Sequence, residues 1–220
     1  MQYLFLLPGL VIGLTIHEAA HAITAKWLGD HLAWREGRVS LNPLRHLSLW
    51  GTLALFILGF GWGKPVPVNL YNFKHPKRDY LLTSLAGPAS NLLMCAVAWA
   101  VLSLDVNRWL EFLLISVFMI NGILAAINLI PIPPLDGSKI WPCLIPGMRP
   151  VHSGKMSQVW FVVLIVGLYS GAIGRVMGPY TQWLSSLVDR AIVTPIVQIE
   201  RPADLPEVFR VPTDACDVEY

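Results

Sequence analysis

Apolar residues come in long runs separated by short polar stretches, and the run lengths carry the first information. A helix needs about 20 mostly apolar residues to cross a bilayer. Residues 3–28, 80–104, 109–130 and 159–177 meet that length, so the pattern predicts an all-α polytopic membrane protein with about four transmembrane helices. A fifth run, 49–63, is short for a span and ends in the glycine-rich GFGWG. Before it, AWREGRVSLNPLRHLSL shows apolar–polar alternation around RVSL, which predicts one or two short strands. After it, KPVPVNLYNF is extended, because each proline biases the preceding residue toward the β or polyproline region. Residues 33–70 therefore read as a small membrane-associated β or re-entrant element.

Charge fixes the topology. Lys26, Arg35, Arg38 and Arg45 precede the short run, and Lys64, Lys74, Lys77 and Arg78 follow it. Short cytoplasmic loops collect Lys and Arg, so both flanks read as cytoplasmic and residues 49–63 as a re-entrant or membrane-lying element, although the sequence does not decide between spanning and re-entering. The N-terminus is then outside. Helix 3 returns to the cytoplasm at IPIPPLDG, and the loop 138–157, with Lys139, Arg149 and Lys155, is again basic and inside. Residues 180–192 are amphipathic and suit the outer interface. Residues 1–193 form one membrane-embedded domain and 194–220 a C-terminal tail, whose stretch 200–220 is acidic, contains proline and is expected to be poorly ordered.

Composition agrees with a bilayer as solvent. Only 14% of the 220 residues are charged and 55% are hydrophobic, against about 25% charged in a soluble domain. Nine Trp and six Tyr suit membrane interfaces. A net charge of +2 is too weak to argue for nucleic acid, and none is expected as a partner. Cys95, Cys143 and Cys216 have no metal-type spacing and form no disulfide framework. The first run lacks a basic n-region and is too long for a cleavable signal.

The candidate chemistry lies in TIHEAAHAITAKW on the first helix. Residues four apart share a helical face, so His17 and His21 can aim two imidazoles at one point. Glu18 is rotated by about 100° and can reach the open side of a bound ion without ligating it. HExxH on a helix is a zinc motif with two ligands and a general base, and ionisable groups in a membrane helix usually mark function. The bland alternative, histidines bonding carbonyls of neighbouring helices, suits one isolated histidine better than this pattern. Zinc needs at least one more protein ligand and a position for water. Asp136 in NLIPIPPLDG is the best candidate: prolines 131–134 break the helix at the level of His17 and His21, and Gly137 permits a tight turn. Its alternative role is to cap the following segment. Asn91 and Asn128 are the other buried polar candidates. Either could bond substrate or oxyanion, orient a ligand or join helices. Gly87 and Ala89 read as close-packing positions. His31, His46, His75 and His152 read as solvated or interfacial, with Cys143 structural.

HEAAH at 17–21, GPASN at 87–91 and NLIPIPPLDG at 128–137, supported by GRVSLNPLRH and GFGWGKPVPVNLYNF, together resemble the site-2 protease family of intramembrane zinc metalloproteases, in a small prokaryotic branch. The resemblance runs over about residues 6–141. It implies one Zn2+ per chain, held by His17, His21 and Asp136 with Glu18 as base, in a multi-pass protein of the prokaryotic inner or plasma membrane with its site toward the cytoplasm. It also implies a transmembrane protein substrate, docked on an edge strand for which Gly61, Gly63, Val66 and Val68 are the candidates. No PDZ or CBS domain is expected, and oligomeric state is not legible. The competing class is a metal transporter or sensor without hydrolysis. Such proteins usually have more helices and often internal repeats, and they need no Glu18.

Overall fold

In the computed structural model, residues 6–58, 62–104, 106–148 and 155–199 are described. Gly61, the loop with Arg149 and His152, and the expected disordered stretch 200–220 lie outside them. Among the described residues there are eight α-helices: α1 (Leu7–Trp27), α2 (Leu32–Arg35), α3 (Leu49–Leu58), α4 (Pro76–Leu102), α5 (Arg108–Asn128), α6 (Gly137–Leu144), α7 (Lys155–Tyr169) and α8 (Ala172–Ile199). Short 3-10 turns lie at Pro43–Arg45 and Leu70–Asn72.

On the faces around the histidines the interior is rich in polar and small residues, while many large apolar side chains are exposed. On α4 the buried stripe reads Asp79, Thr83, Ser84, Gly87, Pro88, Asn91, Cys95, Ala98 and Leu102. Leu92, Leu93, Val97 and Trp99 of the same helix are exposed. This inversion suits a lipid surround, where apolar side chains gain nothing by burial and small residues let helices approach. Gly9 and Gly13 on α1 do so toward α5: a Cβ at position 9 would lie 2.3 Å from the Ser116 carbonyl oxygen. The Gly9 amide donates to Ser116 Oγ at 3.1 Å. α1, α4 and α5 thus form one three-helix core. A second cluster, Cys95, Ala98, Val117, Phe118, Leu184 and Val188, joins α8 to α4 and α5.

Two described helices, α4 and α5, are long and apolar enough to cross a membrane, and up to three spans result if α7 and α8 make one broken span. The protein is therefore an all-α integral membrane protein. α1 is as long as α5, at 21 residues, but carries His17, Glu18, His21 and Lys26. The expected helix over 159–177 is interrupted, because Gly171 takes φ +71° and ends α7; the two halves meet at 61°. The amphipathic stretch from Tyr180 belongs to α8.

The expected strands do not form among the described residues; one antiparallel bridge, Leu47 to Gly63, stands in their place. Local bonds consume the backbone of the RVSL region instead. The Arg38 amide donates to Ala33 O, Ser40 N to Arg38 O and Asn42 N to Ser40 Oγ. Asn42 then caps the 3-10 turn through Leu44 N.

Candidate metal centre

Position and side-chain aim come from three elements. α1 carries His17 and His21 one turn apart, both buried, with their rings in edge contact at 4.7 Å between centroids. α5 ends at Asn128, the proline-rich stretch turns back, and α6 begins at Gly137. A side chain there is excluded, since a Cβ on Gly137 would lie 2.3 Å from Ile130 O. Asp136 precedes α6, yet its side chain makes no capping hydrogen bond. Its carboxylate points at α1: Oδ2 lies 3.0 Å from Nε2 of His17 and 3.0 Å from Nε2 of His21. The two Nε2 atoms are 3.1 Å apart. α4 supplies the floor. A Cβ on Gly87 would fall 2.3 Å from His21 Nε2 and 2.5 Å from His17 Cε1, so the rings occupy the space a side chain would need.

The donor set fits a metal ion. His21 Nδ1 lies 2.6 Å from Thr83 O; a carbonyl only accepts, so Nδ1 carries a proton, which leaves Nε2 as the nitrogen that can offer a lone pair to a metal. Two imidazoles and a carboxylate thus aim at one point, with all three ligand atoms within 4.8 Å of one another. Three electron pairs at such spacing repel unless a metal ion or a shared proton sits among them. Donors at about 2.0–2.1 Å from a tetrahedral zinc stand roughly 3.3 Å apart, close to the observed spacing. Lys139 Nζ holds the other carboxylate oxygen, Oδ1, at 2.8 Å. Spacing along the helix singled out the histidines and elimination singled out Asp136, and the structure brings the three together; Gly87 read only as a packing position, and Lys139 and Thr83 went unpredicted, with only the i,i+3 relation of Lys139 to Asp136 to signal its contact.

Glu18 is half-buried and stands outside the three-residue cluster. It faces the Trp62–Gly63 turn, where a Cβ on Gly63 would lie 3.3 Å from Glu18 Oε1. That turn is firmly held. The buried Arg38 guanidinium donates to Arg45 O and to Lys64 O. Burial pushes the Arg38 pKa down, opposed by the Glu18 and Glu36 carboxylates, and an arginine so shifted stays charged. Lys64 N donates to His46 O at 2.6 Å. Asp30, wholly buried, secures the far end, accepting from Asn69 N and Asn72 Nδ2, both at 2.7 Å. Val66 and Val68 are half-buried on the extended stretch between these anchors.

His31 and His75 are exposed as expected, but His46 is not solvated. It is fully buried, and its Nε2 donates to Ser40 O at 2.7 Å. Packing beneath the Leu47–Gly63 bridge, invisible in the sequence, overrides its loop position. Asn91 is wholly buried on α4. Asn128 is half-buried and donates from Nδ2 to Leu124 O of its own helix at 2.9 Å.

Comparison with known proteins gives the chain its family. The sequence profile of Peptidase family M50 matches residues 103–170. Three relatives bear the designation "Putative zinc metalloprotease". YwhC of Bacillus subtilis (strain 168) is 36% identical over 193 residues, which cover 81% of this chain and 84% of that protein. Rip2 of Mycolicibacterium smegmatis is 30% identical over 199 residues, 82% of this chain and 73% of that protein. MJ0611 of Methanocaldococcus jannaschii is 30% identical over 135 residues, 58% of this chain and 64% of that protein. No solved structure matches significantly. With a relative this similar over most of both lengths, and the family profile falling on the segment that carries Asp136, the chain belongs to Peptidase family M50, the site-2 protease family of membrane metalloproteases.

Proposed function

We propose that this protein is a zinc-dependent intramembrane endopeptidase that hydrolyses peptide bonds within or near transmembrane segments of other membrane proteins. His17, His21 and Asp136 hold one Zn2+, and Glu18 is the general base. One observation carries this reading: Asp136, 119 residues from His17, leaves the helix end it could cap and turns its carboxylate to both imidazoles. When bound, zinc acidifies water and polarises a peptide carbonyl. Glu18 takes a proton at its carboxylate and hands it to the leaving amine. A substrate helix must unwind before cleavage. The extended stretch after Gly63, with Val66 and Val68, replaces its lost backbone bonds by strand addition; Gly61 belongs to the same stretch by sequence. Asn128 contacts the substrate backbone or the developing oxyanion. The site opens toward the cytoplasm of a prokaryotic cell. In support, the side chain of Lys139, beside Asp136, is 39% exposed, and the flanking loops are basic.

A transporter or sensor would use the three donors but would have no use for Glu18 beside them. The test is cleavage of a model transmembrane substrate by purified protein in proteoliposomes. Glu18→Gln should keep its zinc and lose about 10²–10⁴-fold in rate. Cleavage at the wild-type rate would remove Glu18 from the mechanism. A zinc-loaded wild type that cleaves nothing would favour the sensor.

A further inference from the structure

Beside the metal centre, the three-helix core holds polar groups with no hydrogen-bond partner among the described residues: His17 Nδ1, both amide atoms of Asn91, and Asn121 Oδ1. Asn91 and Asn121 are wholly buried, and His17 is 4% exposed. Natural proteins seldom leave such groups unpaired.

The helix register brings them to one place. Gly87 lies against the His17 ring, and Asn91 follows it by one turn on the same face of α4. Gly13 precedes His17 by one turn on α1, and a Cβ there would lie 3.0 Å from Asn121 Oδ1. Asn91 and Asn121 thus flank the 13–17 turn of α1 from two different helices.

The two histidines are unequal at present. Metal-bound histidines almost always donate their second ring N–H. His21 does so, to Thr83 O. With His17 Nε2 on the metal, its Nδ1 is a buried donor without an acceptor. The donors are then His17 Nδ1–H and the Asn91 NH2; the acceptors are Asn91 Oδ1 and Asn121 Oδ1. Asn121 Nδ2 is already committed to Val117 O at 2.8 Å. A buried water typically makes about three hydrogen bonds to such groups. One water accepting from His17 and Asn91 and donating to Asn121 and Asn91 would give each of these atoms one partner.

We propose that Asn91 and Asn121 hold a buried water between α1, α4 and α5 that accepts the Nδ1–H of His17. Both asparagines are then positioning residues for that metal ligand. The proposal rests on the zinc reading above.

The test measures zinc affinity by chelator competition in detergent, with wild type, Asn91→Leu, Asn121→Leu and the double variant. Circular dichroism and size-exclusion profiles check the fold. Each single variant should bind zinc about 10–100-fold more weakly. The double variant should fall within about threefold of the weaker single one, because both amides serve one nitrogen. Folded variants with wild-type affinity would overturn the proposal and leave the zinc site standing. Wild type that binds no zinc would instead sink the underlying reading. Should the leucine variants fail to fold, 15N-histidine NMR of zinc-loaded wild type decides. Cross-relaxation between the His17 Nδ1 proton and a long-lived water supports the proposal, and its absence overturns it.

Discussion

A methyl group at position 87 would lie 2.3 Å from one imidazole and 2.5 Å from the other. Both rings are buried and cannot retreat without leaving Asp136. Gly87→Ala should therefore weaken zinc binding by at least about 10-fold, comparable to the loss of a supporting contact, while the protein stays folded. Chelator competition checks this, and unchanged affinity would mean that α4 shifts to make room. At this scale the sequence was most legible where spacing along one helix decides geometry. His17 and His21 meet because four residues are one turn. Asp136 emerged by elimination, since few other ligand-type side chains fall at that level. Gly87 read only as a packing residue. Its real neighbours depend on how α1 and α4 slide past each other, which Thr83 O and His21 Nδ1 fix and which no local pattern encodes.

Among the elements, the stretch facing Glu18 owes its place to side-chain clips more than to a sheet. Arg38 joins Arg45 O and Lys64 O, and Asp30 anchors Asn69 and Asn72. Arg38→Met keeps most of the volume but strands two carbonyls. A buried group left unpaired costs about 1–3 kcal/mol. Limited proteolysis between Trp62 and Asn69 should accelerate several-fold in this variant, with zinc affinity within about twofold of wild type. Unchanged proteolysis would show that the Leu47–Gly63 bridge and Asp30 suffice. The alternation around RVSL suggested strands because it has the right period. It could not reveal that local turns and an arginine would claim the backbone groups a ladder needs. The break at Gly171 was missed for a related reason: hydropathy reports how apolar a run is, not whether a glycine inside it adopts positive φ.

Across the whole molecule, the bilayer as solvent was readable from run lengths and low charge, whereas the polar, small-residue packing around the site was not. Those quantities depend on the solvent rather than on any particular contact. The order of the helices and the meeting of α1 with the α5–α6 turn follow from that core. The number of spans was less legible, because α1 trades apolarity for chemistry and α7 bends into α8. The measurement that bears most directly on the account is zinc content and affinity of the purified protein, wild type against Asp136→Asn. One zinc per wild-type chain is predicted, with affinity in the variant weakened beyond the 10–100-fold that supporting residues produce. Equal stoichiometry and affinity in the two proteins would contradict it.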